Sequence, residues 1–378
     1  MGGEGVDVVH VIDSLAASGG AENRLVDEVV ALADRHPGTR QAVVRLYARD
    51  ALQPRLEAAG VPVVALGLDA RRAARTWPLA ARRLRAVLRE RRPDVVHTAL
   101  ASANLVGQLA AAPLGIPVVS SFNRTGDPAL QPDAGWRGRV MQAVGRAAAR
   151  RGDVWWRAVS AHARDARVPA DRVTVIPRGV ALADLPGPAD RSAFGFPDEG
   201  PIVVNVARLV PEKAQHLLVE AFAAARADLP GARLAVVGPA GPAEPAVRAA
   251  IERHGVAGAV HLLGFRDDAR ALVAAADVFA FSSLSEGSPG AVLEALALGT
   301  PVAAFAIEPV EDLTDGGRYA RLAPPGDAPA LGRAIIEAVR SPPPSAGDWV
   351  RRFDLGEVAD RLAALLASRA AAAPAGAR

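Results

Sequence analysis

The sequence predicts an α/β protein made of two doubly wound parallel sheets in tandem, and three observations carry that prediction. Short runs rich in Val and Ile alternate with helical patterns from residue 6 to beyond residue 300, as in sheets covered on both faces by helices. The alternation breaks between Asp184 and Pro201, where Pro186, Pro188, Pro197 and Pro201 are interleaved with three glycines, a linker composition. At 378 residues the chain can bury a separate core on each side of that break. The expected division is a first domain over 1–183, a linker over 184–201, a second domain over 202–350, and a helix with a frayed tail over 351–378.

In the first part the pattern places strands near Val6–Ile12, Ala42–Leu46, Val61–Leu66, Val95–Thr98, Val118–Ser121, Trp155–Val159 and Val173–Ile176. In the second part it places them near Ile202–Ala207, Arg233–Val237, Val260–Leu263, Val278–Phe281 and Val302–Ala304. Ligands of such sheets bind at the carboxyl ends of the strands. Near the end, Leu355, Val358, Leu362, Leu365 and Leu366 form one apolar stripe of a helix from about Leu355 to Ser368, which must be buried somewhere. The stretch from Val95 to Asn123 carries no Asp, Glu, Lys or Arg, yet a membrane span needs about 20 mostly apolar residues. His97, Asn104, Gln108, Pro113 and Pro117 break it into strand, helix and strand. It reads as core.

There is no cysteine, which excludes disulfide scaffolds and thiolate metal sites and agrees with a reducing, cytoplasmic compartment. The start, Val6-Asp7-Val-Val-His-Val-Ile12, has no basic head and reads as a strand rather than a signal peptide. The net charge of +3 conceals a division. Up to Ala183 there are 26 arginines against 17 acids, a charge of +9; from Asp184 onward 18 basic residues face 24 acids, a charge of −6. The basic half suggests either an anionic partner or a solvated basic face. Its arginines gather in two helical stretches, Pro78 to Arg92 and one after Trp136 carrying Arg139, Arg146 and Arg150. Helices of this type dock on anionic leaflets, so a peripheral place on the inner membrane face is one expectation. A soluble acceptor with solvated arginines is the other. No nucleic-acid partner is expected.

Three motifs carry chemistry. Of 44 basic residues, 43 are arginine; the one lysine is Lys213, five residues after Arg208 in Arg-Leu-Val-Pro-Glu-Lys, directly behind the first strand of the second domain. An ammonium as point charge and a guanidinium as fork, set on one strand-to-helix turn, suit a diphosphate. Next comes Ser285-Glu286-Gly287-Ser288-Pro289-Gly290-Ala-Val-Leu-Glu294, with Glu286 expected in a loop and Glu294 in the first turn of a helix that starts near Gly290. Free amides at that helix start also favour phosphate. The last is Ser18-Gly19-Gly20-Ala21-Glu22 behind the first strand, where glycines allow close backbone approach to an anion or simply make a tight turn.

Taken together, these pieces resemble the family-4 glycosyltransferases, which consist of two facing Rossmann-like domains (the GT-B fold). The resembling segments are Gly19–Glu22, the Pro-Asp-Val-Val-His run ending at His97, the run from Val159, Val175–Val180, Ala207–Lys213, Leu262–Phe265 and Ser285–Val302. The resemblance implies that Arg208 and Lys213 neutralise the leaving diphosphate and that Glu294 binds the ribose hydroxyls. It implies that Glu286 holds a donor-sugar hydroxyl with the amides of Gly287 and Ser288, and that backbone near Phe265 reads the base. It further places Gly19 and Gly20 near the diphosphate and His97 at the donor sugar, and it returns the C-terminal helix to the first domain. Arg178, Ser288 and Gly290 stand where the family usually has Asn, Phe and Asn, and the loop around Gly238 lacks the usual acid.

The activity implied is transfer of a sugar from a nucleoside-diphosphate sugar, UDP favoured over GDP, with retained anomeric configuration. The acceptor would be a glycan, a lipid-linked molecule or a small molecule. No cofactor is expected. An Asp-x-Asp triplet is missing and the seven histidines lack ligand spacing, so no divalent metal is expected. Rival readings are a sugar-nucleotide 2-epimerase on the same fold, a soluble natural-product glycosyltransferase and a silent sugar-nucleotide-binding protein. A nicotinamide enzyme would need Gly-x-Gly-x-x-Gly after a strand, and a P-loop would need Gly before its Lys, where this chain has Glu212.

Overall fold

The computed structural model describes residues 5–17, 20–69, 73–122, 154–158, 169–195 and 200–372, with the single positions 143 and 147. Gly19, the run from Val159, and Arg139, Arg146 and Arg150 lie outside the described residues. The chain forms two compact units, Met1–Gly179 with Phe353–Arg378, and Val180–Arg352.

The first unit holds β1 (Asp7–Ile12), α1 (Gly20–Arg35), β2 (Arg40–Tyr47), α2 (Gln53–Ala58), β3 (Val63–Leu68), α3 (Ala73–Arg91), β4 (Val95–Ala99), α4 (Ala101–Ala111), β5 (Val118–Phe122), β6 (Val154–Ala158) and β7 (Val173–Val175). The strands make one parallel sheet in the order β3-β2-β1-β4-β5-β6-β7. Val9, Val11, Val44 and Val96 face α3 and α4 through Leu84, Leu88 and Val106. Val8, Val95 and Val119 look the other way, the period-2 alternation of a strand buried on both faces. Strand, helix and strand account for the charge-free stretch from Val95, and no described helix is long and apolar enough to cross a membrane. Pro62 has no N–H to give a ladder, and β3 accordingly starts at Val63 rather than Val61.

The second unit contains β8 (Ile202–Val206), α5 (Gln215–Ala225), β9 (Arg233–Val237), α6 (Glu244–Arg253), β10 (Val260–Gly264), α7 (Ala269–Ala275), β11 (Val278–Phe281), α8 (Gly290–Leu298), β12 (Val302–Phe305), α9 (Glu308–Leu313), β13 (Arg321–Ala323), α10 (Ala328–Arg340) and α11 (Gly347–Arg351). Its parallel sheet runs β10-β9-β8-β11-β12-β13, around a core that includes Val203, Leu234, Phe222, Phe305 and Leu331. The edge strand β13 escapes sequence reading because Arg-Leu-Ala is three residues long and lacks a β-branched side chain. The Pro- and Gly-rich stretch packs on this unit: Phe194 is fully buried, and the Arg191 guanidinium donates to Asp277 and to the Gly200 carbonyl.

The last helix, α12 (Leu355–Ala371), lies on the first unit. Asp354 caps it through the Gly356 amide at 2.9 Å. Val358, Leu362, Leu365 and Leu366 of its stripe pack against Val8, Leu32, Val95 and Val119, so the C-terminal helix does return to the first domain. Leu362 is fully buried, and Leu362→Ala is expected to cost the first unit roughly 2–5 kcal/mol. Hydrogen exchange resolved by unit checks this; equal loosening of both units counts against it.

Candidate active site

Both sheets change winding direction between two neighbouring strands, β1 and β4 in one and β8 and β11 in the other. Crevices outside the carboxyl ends of such strands are where ligands bind. In the second unit the two loops at this point carry the charged motifs. Behind β8 the chain passes Arg208, makes a 3-10 turn over Pro211–Lys213, and enters α5 through Ala214 in the left-handed region at φ 47°. That conformation is costly for a residue with a Cβ, and such strain clusters at functional sites. The Gln215 amide donates to the Arg208 carbonyl at 3.0 Å and fixes the backbone there, while the Arg208 side chain is exposed.

Behind β11 the loop from Ser282 to Pro289 is sewn to the first one. The Leu284 amide donates to the Glu212 carbonyl at 2.9 Å, and the Ser282 hydroxyl donates to the Lys213 carbonyl at 2.8 Å. Lys213 Nζ forms an ion pair with Glu286 and sits 5.8 Å over the Phe281 ring. Both charged side chains are mostly buried, at 18% and 14% exposure, so each is held in place. α8 then begins at Gly290 with Pro289 as its N-cap and no side-chain cap, which leaves the positive helix end open to an anion.

Glu294 differs from the sequence expectation. It stands four residues past Gly290, beyond the first turn of α8, and accepts from the Arg270 guanidinium at 3.0 Å. The expected place of this acid in the first helical turn therefore does not hold. Gly287 is buried, Ser288 half-buried, and Phe265 is 62% exposed just past β10. Gly238 approaches the Arg208 loop: at φ 150° a Cβ there would meet the Ala207 carbonyl oxygen at 2.0 Å. Only glycine fits. The structure thus brings Arg208, Lys213, Glu286 and the start of α8 onto two sewn loops, with Glu294 on α8 itself.

The first unit treats the sequence-chosen histidine differently. His97 lies opposite His10 in the register of β1 and β4 and has no exposed surface. Its Nδ1 is 3.0 Å from His10 Nδ1 and its Nε2 2.9 Å from the Ser121 hydroxyl, while His10 Nε2 is 3.1 Å from Gln41 Oε1. One direction satisfies every group: Ser121 donates to His97, His97 Nδ1–H to His10 Nδ1, and His10 Nε2–H to Gln41. Burial, reinforced by the neighbouring His10, Arg157 and Arg24, holds His97 well below the usual imidazole value, and burial lowers His10 to about 4. His97 is an enclosed, neutral member of a core network. It is not presented at the surface, which corrects the expectation that it faces a sugar.

Sequence reading missed what occupies the corresponding point of the first sheet. Asp13, just behind β1, accepts from the Ala103 amide at 2.7 Å at the start of α4, so a carboxylate of the chain already sits on that helix end. Burial raises Asp13 to about 7 against these hydrogen bonds. The signs for pH are opposite for the two groups. Between about 4 and 6.5 the unfolded chain binds the His10 proton more readily, so acid removes stability. Between 3.8 and about 7 the folded state binds the Asp13 proton more readily, so acid adds stability. Asp13→Asn is expected to steepen the fall in Tm from pH 7 to pH 4. Parallel Tm profiles of variant and parent would overturn it.

Two parallel α/β sheets of Rossmann order, one with a cationic, uncapped switch point, define a two-unit doubly wound class of protein, and comparisons narrow it. Residues 2–179 match the family described as Glycosyl transferase 4-like domain, and residues 200–341 the one described as Glycosyl transferases group 1. The chain belongs to the family-4 glycosyltransferases. It is 31% identical over 269 residues to the 2-deoxystreptamine N-acetyl-D-glucosaminyltransferase of Streptomyces fradiae, covering 66% of this chain and 63% of that one. It is 34% identical over 150 residues to the lipopolysaccharide core biosynthesis glycosyltransferase LpsE of Rhizobium meliloti, covering 40% and 43%. The matches thus span less than two thirds of these relatives' length. In fold it is similar to Anabaena HepE in complex with UDP, with a TM-score of 0.79 and 24% identity over 96% of this chain and all of that one.

Proposed function

We propose that the protein transfers a sugar from a UDP-sugar to an acceptor hydroxyl with retained configuration and without a metal ion. The reading is supported by two loops joined by hydrogen bonds at the switch point of the six-stranded sheet, one carrying Arg208 and Lys213 and the other Glu286 and the start of α8. The bond from the sugar C1 to the diphosphate oxygen breaks and its electron pair passes to the diphosphate. An oxocarbenium-like centre is left, which the acceptor oxygen attacks on the face the diphosphate leaves, while the acceptor hydroxyl proton passes to the departing diphosphate oxygen. Preorganised cations and amides lower the barrier by meeting the charge that develops on the leaving group. Lys213, paired with Glu286 before the donor arrives, is held in position for this, and Glu286 is held beside it for a sugar hydroxyl. The reading of UDP rather than GDP is supported by the similar fold of HepE, which was solved with UDP and with UDP-glucose.

Incubation with labelled UDP- and GDP-sugars in water is expected to give slow hydrolysis of a UDP-sugar that survives excess EDTA. Interconversion of sugars would point to an epimerase, and tight inert binding to a silent module. Loss of activity restored by Mg²⁺ would end the metal-independent reading.

For the acceptor we favour a small polyhydroxylated molecule, as the name of the Streptomyces relative suggests. Within α3, Arg83 and Arg85 are already spent on the carbonyls of Leu66 and Leu109. Arg82, Arg89, Arg91 and Arg92 remain exposed and favour the second reading, docking on an anionic membrane. Sedimentation with anionic and neutral vesicles separates the two.

A further inference from the structure

We infer that Arg270 is a positioning residue of the second unit, which holds the Glu294 carboxylate in place for the ribose hydroxyls of the donor nucleotide. The inference rests on the transferase reading with Glu294 as the ribose ligand, and it adds the residue that orients that ligand. Arg270 is the second residue of α7, whose first turn contains no acid. A cation at that point opposes the helix dipole, so the stability of α7 does not account for its presence. What the guanidinium reaches is the neighbouring helix: Arg270 Nη2 donates to Glu294 Oε1 on α8 at 3.0 Å. The turn that delivers Arg270 is itself fixed. Arg266 donates from Nε and Nη2 to the two carboxylate oxygens of Asp268, the N-cap of α7, at 2.8 and 2.6 Å.

Both partners stand on packed backbone. α7 lies against α8, with Leu272, Val273, Leu293 and Leu296 buried. Thr300, just behind α8, donates its hydroxyl to the Val273 carbonyl at 2.8 Å. At the other end of the turn the Gly238 amide donates to the Gly264 carbonyl at 2.7 Å, which ties the end of β10 to the glycine lying against the Arg208 loop. The pair therefore belongs to the scaffold that carries Arg208 and Lys213. The Glu294 side chain is 19% exposed and that of Arg270 40%. An ion pair this open adds little to stability. It does fix a carboxylate oxygen, and with it the direction in which the group faces. A carboxylate ordered before its ligand arrives loses less freedom on binding. The gain then appears in nucleotide affinity rather than in the fold.

Titration calorimetry of the full chain with UDP and with dideoxy-UDP, which lacks both ribose hydroxyls, tests this. The wild type is expected to prefer UDP. Arg270→Met should weaken UDP roughly three- to tenfold, the effect of ordering one more side chain on binding. It should leave both the affinity for dideoxy-UDP and the Tm unchanged, whereas a structural arginine would lower the Tm. Arg270→Lys keeps the charge and should restore part of the lost affinity. In a Glu294→Gln background, Arg270→Met should have no further effect on UDP. Equal weakening of the two nucleotides by Arg270→Met overturns the inference, because a long-range charge does not distinguish them. Unchanged UDP affinity overturns it as well. If Glu294→Gln keeps the full preference for UDP, Glu294 is not the ribose ligand and the inference falls with it. If the wild type binds neither nucleotide, the transferase reading itself fails.

Discussion

Lys213→Ala is expected to lower turnover about a hundredfold, and Arg208→Ala to do the same, while the fold persists. Removing one preorganised donor from a developing anion costs about 2.7 kcal/mol of transition-state stabilisation at the lower end of what such donors supply. The two variants should differ in how they lose it. Arg208 is exposed, so its loss changes the resting protein little. Lys213 is the partner of Glu286, and its loss leaves a mostly buried carboxylate beside the proposed diphosphate position. Lys213→Ala should therefore also weaken UDP binding more than Arg208→Ala, by like-charge repulsion, and Glu286→Gln should restore part of that affinity in the double variant. Steady-state rates and calorimetric UDP affinities measure both effects. Near-normal turnover in either single variant removes the diphosphate assignment.

The largest stability effect is expected at Glu28, remote from that chemistry. Glu28→Gln keeps the shape of the side chain, so packing is preserved and only the charge is lost. Burial alone would raise the Glu28 carboxyl, and the charges of Arg157 and Arg24 override it to hold the group below its ordinary value. Breaking a buried ion pair by removing one partner costs roughly 3–5 kcal/mol, because the other charge stays uncompensated. Here two buried guanidiniums would be stranded. Arg157→Met should cost less, since Glu28 keeps Arg24 at 3.2 Å as a one-to-one partner. Urea unfolding of the first unit, followed by hydrogen exchange, gives the order. A Glu28→Gln protein as stable as its parent would mean that the cluster is solvated or already holds an anion.

The sequence by itself determined the two-sheet architecture, because strands buried on both faces leave continuous Val- and Ile-rich runs and the intervening helices leave their own period. It determined the cationic loop of the second unit too, since one lysine among 43 arginines, five residues past Arg208, is visible in one dimension. Local turn chemistry put Arg208, Lys213 and Glu286 at strand ends, and strand ends are where the fold exposes ligating groups. The tertiary structure alone decided which charges meet. Arg24, Glu28 and Arg157 come from a helix and a strand separated by 129 residues, from Glu28 to Arg157, and nothing local marks them beyond charges set among apolar neighbours. Asp13 reaches Ala103 across 90 residues, and His97 finds His10 only because β1 and β4 pair in parallel at that register. Local sequence fixes the period and the turns. Which polar groups share a buried environment depends on strand order and register, which are long-range properties of the folded chain.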